Sequence, residues 1–389
     1  MLLAGVLLAP VVSATNLTAT SELFMGGRTF EAHHPPGYRV EFLNLELILP
    51  RILFFHGERL FIGSRSGNIY RLDPPYTETH SIAKLPDYPH SVVVRDDYLY
   101  VARINGVFRA RYDDTMDWIP EEDFSLYVRL PGGKGHKTRT LKLSPDNELF
   151  VSLGIRGNCS DEYLDDSYPF KKRRGGLYRI NESAEPVTLE PFASGLRNPV
   201  GFDWHPESGE IYANNNGPDH LGFESPPEYF SRIMPGSFHG MPWYQYDGST
   251  MVRDECIESE PPLPADALTL PLALFPARNA PMDMVFLPNS AKASEFAGDA
   301  IVALRGSWAV LEDDDGNPIP TSKREPKLAV VRFRDGKPHA VEDLVTGFQS
   351  PRSGNRWARP VGVAVGPDGD IYFSSDEAAQ GIYRLRKIP

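Results

Sequence analysis

The chain contains few of the features that identify common protein classes from sequence alone. Its 389 residues include only two cysteines, and 40 basic side chains face 52 acidic ones, for a formal net charge of -12. A general nucleic-acid-binding protein needs a basic face to neutralise phosphates, so this class is disfavoured. Few segments keep a helical period beyond two turns, and the Cys-x-x-Cys-His motif of a built-in c-type cytochrome does not occur.

Long apolar runs are also lacking, apart from the first residues, MLLAGVLLAPVVSATN. This stretch is too short to span a bilayer, so we predict no membrane span. It ends in the small residues Val-Ser-Ala at 12–14, a typical signal-peptidase pattern, although a basic lead-in is missing. We therefore predict a signal peptide over residues 1–14 and a secreted protein, with a buried first strand as the alternative.

Two further features bear on the compartment. Glycosylation sequons begin at Asn16, Asn158 and Asn181, which agrees with export of a glycoprotein. The two cysteines, Cys159 and Cys256, can form one disulfide in an oxidising compartment. Their spacing alone does not show whether they meet in the fold.

The chain is rich in one recurring phrase: a strand, a turn with Asp or Gly, an aromatic-rich strand and a closing strand. Six copies occur, at residues 53–73, 91–112, 140–181, 200–233, 282–338 and 361–387. Small antiparallel sheets of this kind bury their faces by closing radially on one another. We predict an all-β fold, a six-bladed β-propeller with loop insertions between blades, as a single domain over residues 15–389. A β-sandwich is the alternative, but it does not explain six repeats.

In a propeller the innermost strands line a central channel, so residues at their entries face a shared funnel. The polar residues at or near such entries are His90, His136, Arg139, Arg197, Asn198, Arg305, Arg356 and Arg359. Each one alone can serve the channel structure through water or blade-to-blade hydrogen bonds. Together, the arginines would repel one another unless an anion lay among them. The pattern therefore predicts a small polyanionic ligand.

The loop NNNGPDHLG at 214–222 offers hard oxygen ligands. Asp219 and the exposed carbonyls around Gly217 and Pro218 are of the kind that Ca²⁺ prefers. A plain turn explains the same residues, but an anionic ligand nearby makes a bridging cation more plausible. We interpret the loop as a candidate metal site.

Four long phrases resemble one known family. They are ASGLRNPVGFDWHPESGEIYANNNGPDHLG, PPEYFSRIMPGSFHGMPWYQYDG, GDAIVALRGSW and RPVGVAVGPDGDIYFSSD. They are similar to the PQQ-dependent soluble sugar dehydrogenases, and most similar to the sorbosone and pyranose dehydrogenase branch. The resemblance covers residues 50 to 387. It implies oxidation of a sugar at C1 by hydride transfer to PQQ, with Ca²⁺ as a second cofactor.

The resemblance also implies roles for individual residues. His136 matches the general base, and Arg197 with Asn198 matches a pair beside the quinone oxygens. Gly217 and Pro218 match the positions whose carbonyls hold Ca²⁺, with Asp219 next to them. The remaining residues are expected to contact the cofactor, chiefly its carboxylates: His90, Arg139, Arg305, Arg356 and Arg359.

The chain departs from this family pattern in two places. Arg305 stands where relatives often have histidine, in ALHGSW, and Cys159 lacks the close second cysteine of the sorbosone branch. Because a haem-attachment motif is also missing, the electron acceptor must be external: a cytochrome, a copper oxidase or a small quinone. Two other readings are a Ca²⁺-dependent propeller hydrolase such as a lactonase, and a non-catalytic extracellular recognition propeller. The sequence leaves the preferred sugar open.

Overall fold

A computed structural model describes residues 16–44 and 46–388, together with the backbone of residues 12–13. The predicted signal peptide at 1–14 lies outside these residues, apart from the two-residue strand Val12–Ser13. That strand runs parallel to the outermost strand of the fifth sheet, Lys337–Val345.

The described residues form six antiparallel sheets of the size expected for propeller blades. The strands of each blade are given from the innermost outwards. Blade 1 consists of Pro50–His56, Arg59–Ser64, Asn68–Leu72 and His80–Lys84, and blade 2 of Ser91–Arg95, Tyr98–Arg103, Gly106–Arg111 and Ser125–Arg129. Blade 3 consists of Leu141–Leu143, Leu149–Leu153, Gly176–Asn181 and Thr188–Ser194. Blade 4 consists of Phe202–Trp204, Ile211–Asn215, Glu228–Ile233 and Ala273–Phe275, and blade 5 of Pro281–Phe286, Ala300–Leu304, Lys327–Arg334 and Lys337–Val345. Blade 6 consists of Pro360–Val365, Ile371–Ser375, Gly381–Lys387 and Tyr38–Asn44. The prediction of a six-bladed β-propeller is confirmed.

Blade 6 closes the ring. Its outermost strand, Tyr38–Asn44, comes from the beginning of the chain and pairs antiparallel with Gly381–Lys387 near its end. Opposite ends of the chain thus share one sheet, and opening the ring requires breaking that ladder of hydrogen bonds.

The blades pack face to face, so the inner strands are buried on both sides. Ser91–Arg95 and Ala300–Leu304 are buried at every position, which is why they read as continuous apolar runs. At the channel the backbones approach closely. A Cβ on Gly201 would lie 2.4 Å from the Met282 carbonyl oxygen, and one on Gly362 would lie 2.3 Å from that of Arg51. The glycine of the repeated Pro-Val-Gly motif therefore permits contact between neighbouring blades.

The remaining structure lies in insertions and connections. The hairpins and short strands outside the blades are Ala19–Met25 with Arg28–His34, Tyr244–Tyr246 with Met251–Arg253, Leu311–Glu312 with Pro318–Ile319, and Ser237–Phe238 beside blade 3. Single 3₁₀ turns span Glu121–Asp123, Phe170–Lys172, Ala265–Ala267, Ser294–Phe296 and Pro320–Ser322. In the described part of the chain no helix has the length and apolar character needed to cross a bilayer.

Candidate functional site

A cavity of about 650 Å³ opens where the innermost strands begin. Four cationic side chains line this funnel: Arg51, Arg65, Lys137 and Arg305. Its acidic lining residues are Asp87 and Asp376, and Tyr88 adds an aromatic ring. The funnel thus has an excess of positive charge in a protein whose net charge is negative.

Two of these cations share one buried carboxylate. Asp376, 2% exposed, accepts hydrogen bonds from Arg51 Nη1 at 2.5 Å and from Arg305 Nε at 2.9 Å. Burial would raise the pKa of Asp376, but the two guanidinium groups outweigh it and hold the pKa below its usual value. Asp376 therefore stays ionised and fixes both arginines at the funnel wall.

The other two cations are available to a ligand. Arg65 and Lys137 are exposed at the funnel, and neither pairs with a carboxylate among the residues that the structure describes. Unpaired guanidinium and ammonium groups in a concave site attract an anion and can donate hydrogen bonds to its oxygens. The lining thus fits a small polycarboxylate such as PQQ, with Arg65 and Lys137 as free donors and Tyr88 as an aromatic wall.

The predicted cofactor contacts Arg359 and Arg356 lie behind this wall. Arg359 is buried and donates to the carbonyls of Arg305 and Gly306 at 2.9 Å each, and to Glu377 at 2.6 Å. Arg356 lines a separate, larger cavity of about 1200 Å³ beside the N-terminal hairpin. There it donates to Gln349 Oε1 at 2.8 Å and to the Arg324 carbonyl at 2.9 Å.

His136 lies at the edge of the funnel, between the lining residues Gly135 and Lys137. Its Nδ1 lies 2.5 Å from the Ile155 carbonyl oxygen. A carbonyl can only accept, so Nδ1 carries the proton and Nε2 of the neutral ring keeps its lone pair. Burial is the main cause that lowers the pKa of His136 to about 3, and the charge of Arg197 adds to the effect.

Two buried arginines hold the backbone of His136. Arg139 Nη1 and Arg174 Nη2 donate to the His136 carbonyl oxygen at 3.0 and 2.9 Å. Arg139 is fully buried and its other donors meet the carbonyls of Ile104, Thr138 and Pro131, so it supports the loop and has no surface facing the funnel. Arg174, the last residue of the KKRR sequence at 171–174, is 1% exposed.

Asn198 and Arg197 lie beside His136. A Cβ on Gly154 would lie 2.4 Å from Asn198 Oδ1 and 2.7 Å from the His136 Cβ, so this glycine lets the two side chains come together. Asn198 Oδ1 accepts a hydrogen bond from Thr138 Oγ1 at 3.0 Å. The predicted trio His136, Arg197 and Asn198 is therefore assembled at one place.

His90 lies deeper, beneath the funnel. It is fully buried, and its Nδ1 is 3.5 Å from Arg51 Nε. Burial, reinforced by the charges of Arg51 and Arg139, lowers the pKa of His90 well below its ordinary value. His90 is therefore a neutral packing group behind Arg51 in this arrangement.

The candidate metal loop is occupied by a side chain. Arg278 donates to the carbonyl of Pro218, and Asp219 pairs with Arg197 at 2.7 Å. The Gly217 N–H donates to the buried carboxyl of Glu228. Ca²⁺ needs six to eight free oxygen ligands, and the Pro218 carbonyl and the Asp219 carboxylate already have cationic partners. The residues of this loop do not fit a calcium ion.

The two cysteines do meet. Cys159 and Cys256 form a disulfide that joins the loop after blade 3's second strand to the insertion that follows blade 4's third strand. Next to it, Asn158 Oδ1 accepts a hydrogen bond from Arg197 Nε at 2.8 Å. The disulfide thus supports the same side of the funnel as His136, and the side chain of one predicted sequon has a structural partner.

The aromatic run in GMPWYQYDG is buried under the insertion. Trp243 is fully buried, and Tyr244 and Tyr246 are nearly so, in a cluster under the insertion. An exposed indole belongs instead to Trp308, which lies three residues after Arg305 and is 74% exposed.

Sequence reasoning missed Arg65 and Lys137, the free donors of the funnel. It also missed three further arginines of the site, Arg51, Arg174 and Arg278. Arg51 is the second residue of the innermost strand of blade 1, Pro50–His56. The rule that polar residues at strand entries face the funnel would have selected it, but the predicted first repeat begins only at residue 53. Arg174 and Arg278 contact segments that are distant from them in sequence. The residues around each arginine do not indicate which segment it will contact.

Fold and site together define a class: a β-propeller with a cationic small-molecule funnel and a neutral histidine at its edge. The family comparison agrees. Residues 51–384 match the family model described as Glucose / Sorbosone dehydrogenase, and the chain belongs to this family of PQQ sugar dehydrogenases. A protein of Borreliella burgdorferi strain B31, described as uncharacterized, is 26% identical over 372 residues, which cover 90% of this chain and 89% of that one.

Solved structures share the fold at low identity. A Trichoderma reesei enzyme of carbohydrate-active family AA12, in its calcium structure, matches with a TM-score of 0.74 and 18% identity over 96% of this chain and 99% of that chain. The holo form of the PQQ domain of pyranose dehydrogenase from Coprinopsis cinerea matches with a TM-score of 0.70 and 18% identity, over 97% and 99%.

Proposed function

We propose that this protein is a PQQ-dependent dehydrogenase that oxidises a sugar, an aldose or ketoaldose, at its C1 hydroxyl. The observation that carries the proposal is the state of His136: Nδ1–H is bonded to the Ile155 carbonyl, and Nε2 is free to take a proton beside a cationic funnel. Membership of the Glucose / Sorbosone dehydrogenase family supports the same reaction class.

The cationic residues of the funnel bind the cofactor, and His136 transfers the proton. Arg65 and Lys137 bind the cofactor's carboxylates, while Arg51 and Arg305 supply positive charge from the wall. His136 Nε2 removes the proton of the C1 hydroxyl as the C1 hydrogen leaves with its electron pair, which converts C1 to a lactone carbonyl. Bound PQQ supplies the two-electron acceptor chemistry of a quinone. Arg197 and Asn198 orient the reacting groups and stabilise developing negative charge.

The low pKa of His136 has a consequence for this chemistry. A general base works best when its pKa is near the operating pH, and about 3 is far below it. Three carboxylates in the funnel offset the field of the arginines, so anion binding raises the pKa of His136. Cofactor binding therefore makes the base stronger.

We also propose that the protein is secreted and passes its electrons to an external acceptor, a cytochrome, a copper oxidase or a small quinone. The disulfide Cys159–Cys256 supports an oxidising compartment.

The test combines calorimetric titration of PQQ with anaerobic single-turnover reduction by a panel of aldoses and ketoaldoses. The His136→Gln variant is compared with His56→Gln, a change at an exposed histidine of blade 1. We expect His136→Gln to bind PQQ normally and to lose about 100- to 10,000-fold in reduction rate, while His56→Gln behaves as wild type. Absence of PQQ binding to the wild type would overturn the cofactor and favour the lactonase or recognition readings. An undiminished rate in His136→Gln would overturn the base.

A further inference from the structure

The loop at residues 214–225 is built around a guanidinium group. Arg278, 6% exposed, reaches it from the connection that enters blade 5. It donates to the carbonyls of Pro218 and Gly222, and to that of Ser225 at 2.9 Å. Three main-chain oxygens of one loop thus converge on a single cation supplied by another blade.

The charges around this contact are already balanced. Asp219 lies between two guanidinium groups, with Oδ2 at 2.7 Å from Arg197 Nη2 and Oδ1 at 3.6 Å from Arg278 Nη1. Glu228, also buried here, accepts the Gly217 N–H. Burial raises the pKa of Glu228 to about 7, against the opposing effect of that N–H and the two arginines. Near neutral pH its charge is therefore only partly developed.

A divalent cation added to this loop would meet two fixed positive charges. The carbonyls that it would need are directed at Arg278, and the carboxylate of Asp219 is shared by both arginines. The other exposed carboxylate of the loop, Glu224, pairs with Arg324. Arg278 also has φ of 68°, a conformation that non-glycine residues rarely adopt. Its contacts with the loop hold the backbone there.

We propose that Arg278 is the resident cation of this loop and replaces the calcium ion expected at Gly217 and Pro218. The guanidinium group cannot dissociate or be removed by a chelator. The loop is therefore ordered, and PQQ is bound, without a divalent cation. The statement about PQQ rests on the proposed function, whereas the statement about the loop does not.

The direct test is the response of the full-length protein to Ca²⁺ after treatment with EGTA. Calcium is titrated by calorimetry, and thermal unfolding is followed with and without it, first without PQQ and then with it. We expect no saturable heat, an unchanged Tm, and one PQQ affinity in Ca²⁺ and in EGTA. Micromolar Ca²⁺ binding, which raises Tm by linkage, or PQQ affinity that rises about tenfold or more with Ca²⁺, would overturn the proposal.

Substitutions at Arg278 test whether its guanidinium group orders the loop. Arg278→Ala empties the ring of carbonyls, so we expect a Tm several degrees lower than that of Arg334→Ala, a change at an exposed arginine of blade 5. Added Ca²⁺ should raise the Tm of Arg278→Ala but not that of Arg278→Lys, which keeps a cation. An Arg278→Ala variant as stable as Arg334→Ala would contradict the proposal. If Arg278→Ala does not fold, the wild-type titration decides. Failure of PQQ to bind under every condition counts against the proposed function only, because the Ca²⁺ titration without PQQ still tests Arg278.

Discussion

The two sides of the funnel surround their buried arginines with different partners. On the acid-paired side, formed by Arg51, Arg305 and Asp376, each guanidinium meets a carboxylate. On the histidine side, formed by His136, Arg139, Arg174 and Arg197, Arg139 and Arg174 are held by main-chain carbonyls. A carbonyl satisfies the N–H donors but does not cancel the charge.

The pKa values of Asp376 and His136 are both lowered, with opposite results: the carboxylate is charged and the imidazole is neutral. Nearby guanidinium groups hold the pKa of Asp376 low, so that the carboxylate stays ionised. Burial, with the charge of Arg197 adding to it, holds the pKa of His136 low, so that the imidazole stays neutral. The acid-paired side is thus neutralised by one buried carboxylate, whereas on the histidine side Asp219 neutralises Arg197 and the other two guanidinium groups contact carbonyl oxygens.

The largest effect is expected from removing the shared carboxylate of the acid-paired side. Asp376→Asn leaves Arg51 and Arg305 without their common counter-ion, and loss of one partner of a buried ion pair costs about 3–5 kcal/mol. Chemical denaturation should show this loss relative to Asp314→Asn, a change at an exposed aspartate. Equal stability of the two variants would show that Asp376 does not neutralise this side.

A smaller loss of stability is expected from removing the disulfide that supports the histidine side. The double change Cys159→Ser and Cys256→Ser opens a cross-link between residues 97 positions apart. Removal of such a disulfide costs about 2–4 kcal/mol, because the unfolded chain regains freedom. PQQ affinity should change little, since Arg65 and Lys137 are not on the bridged segments. A variant with wild-type unfolding free energy, or one that no longer binds PQQ, would contradict this separation of the two sides.

The smallest effect for a single residue is expected from mild acid. His136, His239 and His90 are neutral in the folded protein because burial lowers the pKa of each below the ordinary value of 6.5, to about 3 for His136 and His239. The unfolded chain therefore binds more protons between pH 6.5 and about 3, and stability falls as the pH falls through that window. At about pH 5.5 the cost is about 1 kcal/mol for each fully buried histidine.

Denaturation measured across this range provides the check. His239→Gln should flatten the dependence on pH, whereas His56→Gln should not. A wild-type stability that does not change between neutral pH and about pH 5 would contradict the neutral state of these histidines.

The sequence was sufficient to predict the blades but not the contacts between them. The recurring phrase of a strand, a turn with Asp or Gly and an aromatic-rich strand follows from local backbone requirements, so the repeats predicted six sheets. The partner of a long side chain depends on how loops from different blades approach each other. Arg139 was therefore expected at the cofactor but lies fully buried beneath His136. Likewise, the oxygen-rich loop at 214–222 was interpreted as a calcium site, although Arg278 from another blade fills it.

The most direct test of the account is the pKa of His136 with and without PQQ, measured by NMR on protein labelled at histidine and assigned with His136→Gln. The account predicts a value near 3 in the cofactor-free protein, and a clear rise towards that of free histidine when the anion enters the funnel. A pKa that is the same in both states would contradict the claim that cofactor and base share one site.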